Sequence, residues 1–130
     1  MTRTGSEAGE VAALKRELKD LLDDFQQMPS PRATKDERLQ NLHDAWIMYT
    51  DDVVSAMLEL LKGTRPLFNL RHYIGIRRNK RIERLISKLQ RLELPSDLEK
   101  VVNDYQKQYA HAMRMVDLAV TFLRAQKRGL

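Results

Sequence analysis

Hydrophobic residues recur through most of this chain at alternating steps of three and four, the spacing of an amphipathic helix. One series runs from Val11 to Met28 and stops at Pro29-Ser30-Pro31, and a second runs from Leu39 to Leu60. Thr4 with Glu7 and Thr34 with Glu37 have the spacing of a capping box, and Gly63 is a candidate C-cap. We therefore predict a first helix from about Ser6 to Met28 and a second from Thr34 to the residues before Gly63.

The third and fourth series are separated by Pro95. Ile82, Leu85, Ile86, Leu89 and Leu92 predict a third helix over about 76–92, after a short helical turn near 67–74. Gly75 interrupts this region, because glycine costs about 1 kcal/mol relative to alanine within a helix. The fourth helix is predicted from the Ser96–Glu99 capping box to the basic residues at 127–128.

No window shows the period-two alternation of a β-strand. Short connections between long heptad-patterned helices favour antiparallel neighbours. The sequence therefore predicts an all-α fold, a four-helix bundle with up-down-up-down antiparallel topology and a break near Gly75. We expect a short polar N-terminal tail over 1–5 and a single helical-bundle domain over 6–130.

Composition narrows the class of protein. The chain has 130 residues, 42% of them hydrophobic, and no cysteine, which excludes disulfide scaffolds, cysteine-ligated zinc and thiol chemistry. No apolar run approaches the roughly 18 residues of a membrane span, and the N-terminus does not resemble a signal peptide. These observations favour a cytoplasmic protein.

The net charge of +5 is unevenly distributed. Residues 62–91 contain ten Lys and Arg against one acidic residue, Glu83, so this stretch carries +9 while the remaining 100 residues sum to −4. Arg77, Arg81, Arg84, Lys88 and Arg91 follow helical steps and form one stripe, about 130° from the apolar residues of the same helix. A surface of one sign indicates a partner of the opposite sign. The candidate polyanion-binding residues are Arg65, Arg71, Arg77, Arg78, Lys80, Arg81, Arg84, Lys88 and Arg91.

Nucleic acid is the polyanion that we expect, RNA or DNA read mainly through its backbone. Arginine predominates among these cations, and its planar guanidinium binds phosphate through two hydrogen bonds. Phe68 and Tyr73 lie nearby and are candidates for stacking on an unpaired base. The expected function is thus a non-catalytic binding or adaptor module whose basic third helix docks on a polyanion.

Three alternatives stay open besides simple solvation of the charge. The tip from Gly63 to Arg71 carries Leu67 and Phe68 between cations, a pattern that also fits a bundle that binds anionic lipid. A purely protein–protein assembly subunit is another alternative. Arg38 and His43 have the Arg-x4-His spacing of a class of helical ribonucleases, which would need no metal.

Two helices carry more apolar surface than one bundle face requires. On the second helix Ile47, Val54, Leu58 and Leu61 lie beside the core residues, and on the fourth Met115, Leu118 and Phe122 lie oblique to them. Either long helices pack against several neighbours, with the core face of the fourth drifting away from the small Ala112 and Ala119, or a second chain covers these residues. The candidate protein-interface residues, for a homo-oligomer or a helical partner, are Ile47, Leu58, Met115, Leu118 and Phe122.

Catalytic and metal-binding patterns are missing from the sequence. His43, His72 and His111 have no ligand-type residue at metal-pair spacing. We expect His43 to be half-buried with its polar atoms satisfied, and His111 to be solvated because it projects away from its helix's apolar face. The acidic groups lack a glycine-rich phosphate loop and are interpreted as solvated faces or as complements to basic residues on a neighbouring helix. They are Asp20, Asp23 and Asp24 on the first helix and Asp51–Asp52 on the second. We therefore expect no enzyme activity, no metal, no cofactor and no small-molecule substrate.

Overall fold

The structure is a computed structural model that describes the backbone of residues 2–32, 34–62 and 79–128, and the side chains of 9–32, 34–62 and 79–126. It contains the helices α1 (Thr2–Gln27), α2 (Glu37–Leu61), α3 (Lys80–Gln90) and α4 (Ser96–Arg128). Over these ranges there is no strand, and the helices pack against one another. The prediction of an all-α four-helix bundle is confirmed.

Helix α1 begins at Thr2, so the helix includes residues that the sequence interpretation placed in a polar tail. No proline precedes Pro29, and therefore nothing blocks the backbone hydrogen bonds of the earlier turns. At the other end, the Met28 amide donates to the carbonyls of Asp24 and Phe25, and the two prolines that follow stop the helix as predicted.

Asp36, not Thr34, caps α2. Its carboxylate accepts a hydrogen bond from the Arg38 amide at 2.9 Å, while Thr34 Oγ1 accepts one from the Asp36 amide at 3.2 Å. The predicted capping box between Thr34 and Glu37 is thus wrong. An aspartate directly before Glu37 is as good a cap as a threonine, and the charged oxygen binds the positive end of the helix dipole more strongly. The Arg38 guanidinium, 2.7 Å from the other Asp36 oxygen, holds the pKa of Asp36 down at about 2.

Contacts with α4 give the direction of each helix. The pairs are Leu21–His111 and Pro29–Gln108 for α1, His43–Tyr105 and Tyr49–Tyr109 for α2, and Glu83–Tyr109 and Gln90–Gln106 for α3. Along α1 and α3, the number of the α4 contact falls as the residue number rises. Along α2, the two numbers rise together. Helices α1 and α3 are therefore antiparallel to α4 and α2 is parallel to it, which gives the predicted up-down-up-down topology.

Trp46 of α2 lies at the centre of an aromatic cluster. Its ring meets Phe25 and Tyr105 edge-on, with centroids 6.4 and 5.8 Å away, and it also packs on Tyr49 and Tyr109. Edge-to-face pairs of this kind contribute about 0.5–1.5 kcal/mol each beyond the apolar area that they bury. The cluster links α1, α2 and α4 at one level of the bundle.

The interpretation of Met115 and Phe122 as interface residues is wrong for this bundle. Both side chains are buried in the core, with at most 1% of their surface exposed, and Leu118 is half-buried. Ala112 and Ala119 are also fully buried but fill little space, so the larger Met115 and Phe122 turn toward the neighbouring helices. Helix α4 contacts each of the other three helices and therefore buries a wide arc.

Candidate functional site

Helix α3 presents one apolar face to the bundle. Ile82, Ile86 and Leu89 are buried, at steps of four and three, and Leu85 lies half-buried beside them. Before the first turn, the Asn79 side chain accepts a hydrogen bond from the Ile82 amide at 3.1 Å and caps the helix. The cap and the buried face together fix the rotation of α3 about its own axis.

The opposite face of α3 is basic. Its four cations and Arg91, the residue that caps its C-terminus, are all exposed, as the pattern of the sequence predicts. They are called the α3 cations below: Lys80, Arg81, Arg84, Lys88 and Arg91. Arg84 Nε lies 3.3 Å from the carbonyl oxygen of Lys80, one turn away, which holds the guanidinium along the helix. Apart from Arg84, the α3 cations make no side-chain hydrogen bond or ion pair with another residue that the structure describes.

Glu83, the one acidic residue of α3, is held by α4. The Tyr109 hydroxyl donates to Glu83 Oε1 at 2.9 Å and accepts a hydrogen bond from the Asn79 amide, also at 2.9 Å. One hydroxyl thus ties the first turn of α3 to the middle of α4. Because Glu83 follows Lys80 by three residues, its carboxylate lies at the edge of the arc that carries the cations.

The remaining predicted polyanion and tip residues lie outside the described residues. These are Arg65, Arg71, Arg77 and Arg78, together with Leu67, Phe68 and Tyr73, and the predicted break at Gly75 and C-cap at Gly63 also lie there. The structure therefore places five of the nine candidate cations, four on α3 and one at its C-cap, on one exposed face. The membrane-tip alternative depends on residues of the segment 63–78.

The residues considered for catalysis have separate structural partners. Arg38 is paired with Asp36, which raises the pKa of the guanidinium, and His43 is half-buried with Nδ1 2.9 Å from the Tyr105 hydroxyl. Burial, together with the charge of Asp44, raises the pKa of Tyr105 to about 12. The prediction of a satisfied, half-buried His43 is confirmed. Among the described residues, no group of three or more histidine and acidic side chains is placed to hold a metal ion.

His111 is buried, and the prediction that it is solvated is wrong. Its Nε2 lies 2.9 Å from the carbonyl oxygen of Leu21, and its ring stacks on Phe25 with centroids 5.9 Å apart. Since a carbonyl only accepts, Nε2 carries the proton, and Nδ1 faces the Arg114 guanidinium at 3.4 Å. These contacts make His111 part of the packing between α1 and α4.

Tyr109, the residue that positions the basic face, was missed by the sequence interpretation. Its place in the apolar series of α4 marked it only as a core residue. Asn79, next to the predicted basic stripe, carried the signal of a helix cap, since asparagine is a preferred N-cap residue. The pairing of the two depends on contact between α3 and α4, which lie 30 residues apart at this point.

Comparison with known proteins finds no family model, curated protein or solved structure that matches this chain. Within the described residues, none of the helices has the length and apolar character needed to cross a membrane.

Proposed function

We propose that this chain is a non-catalytic helical module that binds nucleic acid inside the cell through the basic face of α3. The observation that carries the proposal is the exposure of all five α3 cations on a helix whose opposite face is buried. Charges that served only to offset acidic neighbours would be expected to pair with them, whereas Lys80, Arg81, Lys88 and Arg91 form no ion pair with a residue that the structure describes.

The chemistry of the face favours phosphate as the group that is bound. Three of the α3 cations are arginines, which bind phosphate oxygens in a planar, two-pronged geometry, and two are lysines, which act as compact point charges. At 1.5 Å per residue, the five side chains are distributed over about 16 Å of helix. Contacts of this kind fix a protein on a backbone and carry little information about base sequence.

The test is the affinity for labelled RNA and duplex DNA, measured by fluorescence anisotropy in low salt. The stripe variant, Arg81→Gln with Arg84→Gln and Lys88→Gln, removes three charges from exposed positions of α3. The control variant, Lys15→Gln with Arg16→Gln and Lys19→Gln, removes three charges from exposed positions of α1, a helix that is not packed against α3. We expect the stripe variant to lose at least about tenfold in affinity, because each phosphate contact contributes to the release of counterions.

Two results would contradict the proposal. The first is an absence of binding to RNA and to DNA at about 50 mM salt, where the electrostatic contribution is large. The second is an equal loss of affinity in the stripe and control variants, which would indicate a response to net charge alone. Liposomes that contain anionic lipid, measured in parallel, distinguish a nucleic-acid module from one that binds a membrane surface.

A further inference from the structure

Helix α2 carries a second hydrophobic series on the side away from the core. Asp44, Ile47, Asp51, Val54, Leu58 and Leu61 follow steps of three, four, three, four and three, the heptad spacing of a coiled coil, and are called the outer row below. Ile47 and Leu58 are 49% and 40% exposed, and Val54 and Leu61 are half-buried. Large apolar side chains exposed at heptad spacing are typical of a helix that packs against another helix.

An open groove continues this surface toward α1. It has a volume of about 620 Å³ and lies between α1 and the C-terminal end of α2. Its apolar lining comes from Ala12, Leu22, Leu58 and Leu61. The polar lining comes from four cations, one acidic residue and one amide: Lys15, Arg16, Lys19, Lys62, Asp23 and Gln26. The C-terminal half of the outer row is therefore apolar with basic surroundings.

The N-terminal half of the outer row has the opposite charge. Asp44 and Asp51 lie one turn before and one turn after Ile47, and α2 contains no lysine or arginine between Leu39 and Leu61. One helix thus presents an acidic half with an exposed isoleucine and a basic-edged half with an exposed leucine. The two halves have opposite charge, and each has an exposed apolar side chain that the other could cover.

We propose that the outer row is the contact between two copies of this chain, with the two α2 helices antiparallel about a two-fold axis. A two-fold contact uses the same surface of both chains. If one residue contacts a second residue of the partner, that second residue contacts the first residue of the partner in return. In antiparallel register Ile47 packs on the partner's Leu58, and Val54 on the partner's Asp51. Asp44 then lies against the partner's Leu61 and beside the partner's Lys62.

Charge complementarity within the chain favours a second copy as the occupant. An antiparallel axis places Asp44 beside the partner's Lys62 twice, and it brings one like-charge pair, Asp51 with the partner's Asp51, close to the axis. A parallel arrangement would instead place Asp44 and Asp51 against their own copies, and like charges in direct contact are unfavourable. The inference rests on α1 and α2 and is independent of the function proposed for α3.

The experiment is a charge exchange followed by sedimentation equilibrium at about 50 mM salt, where surface charges are weakly screened. The unmodified chain is expected to form a dimer of twice 15.2 kDa with increasing concentration. Asp44→Lys and Lys62→Asp each create two like-charge pairs across the axis, and each is expected to raise the dissociation constant about tenfold. The double variant restores both pairs with reversed polarity, and it is expected to return to within about threefold of the original value.

Two further variants separate this contact from a general effect of charge. Asp52→Lys makes the same change as Asp44→Lys at an exposed position about 130° around α2 from the outer row, and it is expected to leave dimerisation unchanged. Ile47→Asp places a charge in the apolar part of the row and is expected to give a monomer. Far-ultraviolet circular dichroism checks that each variant keeps its helix content.

A chain that stays monomeric up to about 1 mM would overturn the proposal, since an affinity weaker than this falls below that of a specific contact. A dimer whose two single variants are weakened but whose double variant is not restored would also overturn the antiparallel register. Equal effects of Asp44→Lys and Asp52→Lys on the dissociation constant would also overturn the proposed register, because only Asp44 lies in the outer row.

Discussion

The salt dependence of nucleic-acid binding measures how many α3 cations contact phosphate. The logarithm of the binding constant for duplex DNA falls with the logarithm of salt concentration, with a slope of about −0.9 for each phosphate neutralised. Contacts from all five α3 cations predict a slope of about −4.5, which is a loss of about 500-fold between 50 and 200 mM salt. The stripe variant keeps two of the five, so that its predicted slope is about −1.8 and its loss about 12-fold.

Anisotropy titrations of one labelled duplex at four salt concentrations give both slopes. The difference between them, about 2.7, depends only on the three side chains removed, so it holds whatever other residues contribute to the total. The control variant on α1 should keep the original slope. A stripe variant whose affinity falls while its slope stays the same would refute the reasoning, because the lost affinity would then not come from phosphate contacts.

Three predictions concern the stability of the bundle. Tyr109→Phe should lower the free energy of unfolding by about 1–3 kcal/mol in urea titrations, because it removes two hydrogen bonds to the half-buried Asn79 and Glu83. Tyr49→Phe is the matched control: within the described residues the Tyr49 hydroxyl is buried without a hydrogen-bond partner, and its burial raises the pKa of the phenol, so the change should be neutral or stabilising. Phe122→Ala should lower the free energy of unfolding by about 3–5 kcal/mol, as for a core phenylalanine. A loss under about 1 kcal/mol would indicate that the Phe122 side chain is exposed. Asp36→Asn keeps a capping side chain but removes its charge, and since the pKa of Asp36 is lowered from 3.8 to about 2, the advantage of the aspartate should be complete above pH 4 and disappear as pH falls through about 2 in acid-unfolding curves.

Periodicity predicted the helices and their order because each helix buries one face, and a buried face requires an apolar residue at every third or fourth position. It did not predict the width of that face. The fourth series has a thin stripe through Ala112 and Ala119, but α4 is surrounded by three helices and buries Met115 and Phe122 beside it. How many neighbours a helix has is a property of the whole bundle, which no single window of sequence contains.

His111 shows the same limit for a polar residue. By periodicity it points away from the core, and a histidine at such a position is usually solvated. It is buried because α1 covers that side of α4 and supplies both a carbonyl oxygen and an aromatic ring. The basic face of α3, in contrast, was predicted correctly on the described residues, since exposed charge opposite an apolar face follows from the sequence of one helix.

The shortness of α3 has a consequence for stoichiometry. Its 11 residues extend about 16 Å, a distance that corresponds to about five base pairs of duplex at 3.4 Å per pair. A backbone contact of that length leaves about half of each helical turn of DNA unoccupied. Since phosphates repeat regularly, equivalent positions overlap at every base pair, and many chains can therefore line one long polyanion. Saturation should depend on the length of the nucleic acid and hardly on its sequence.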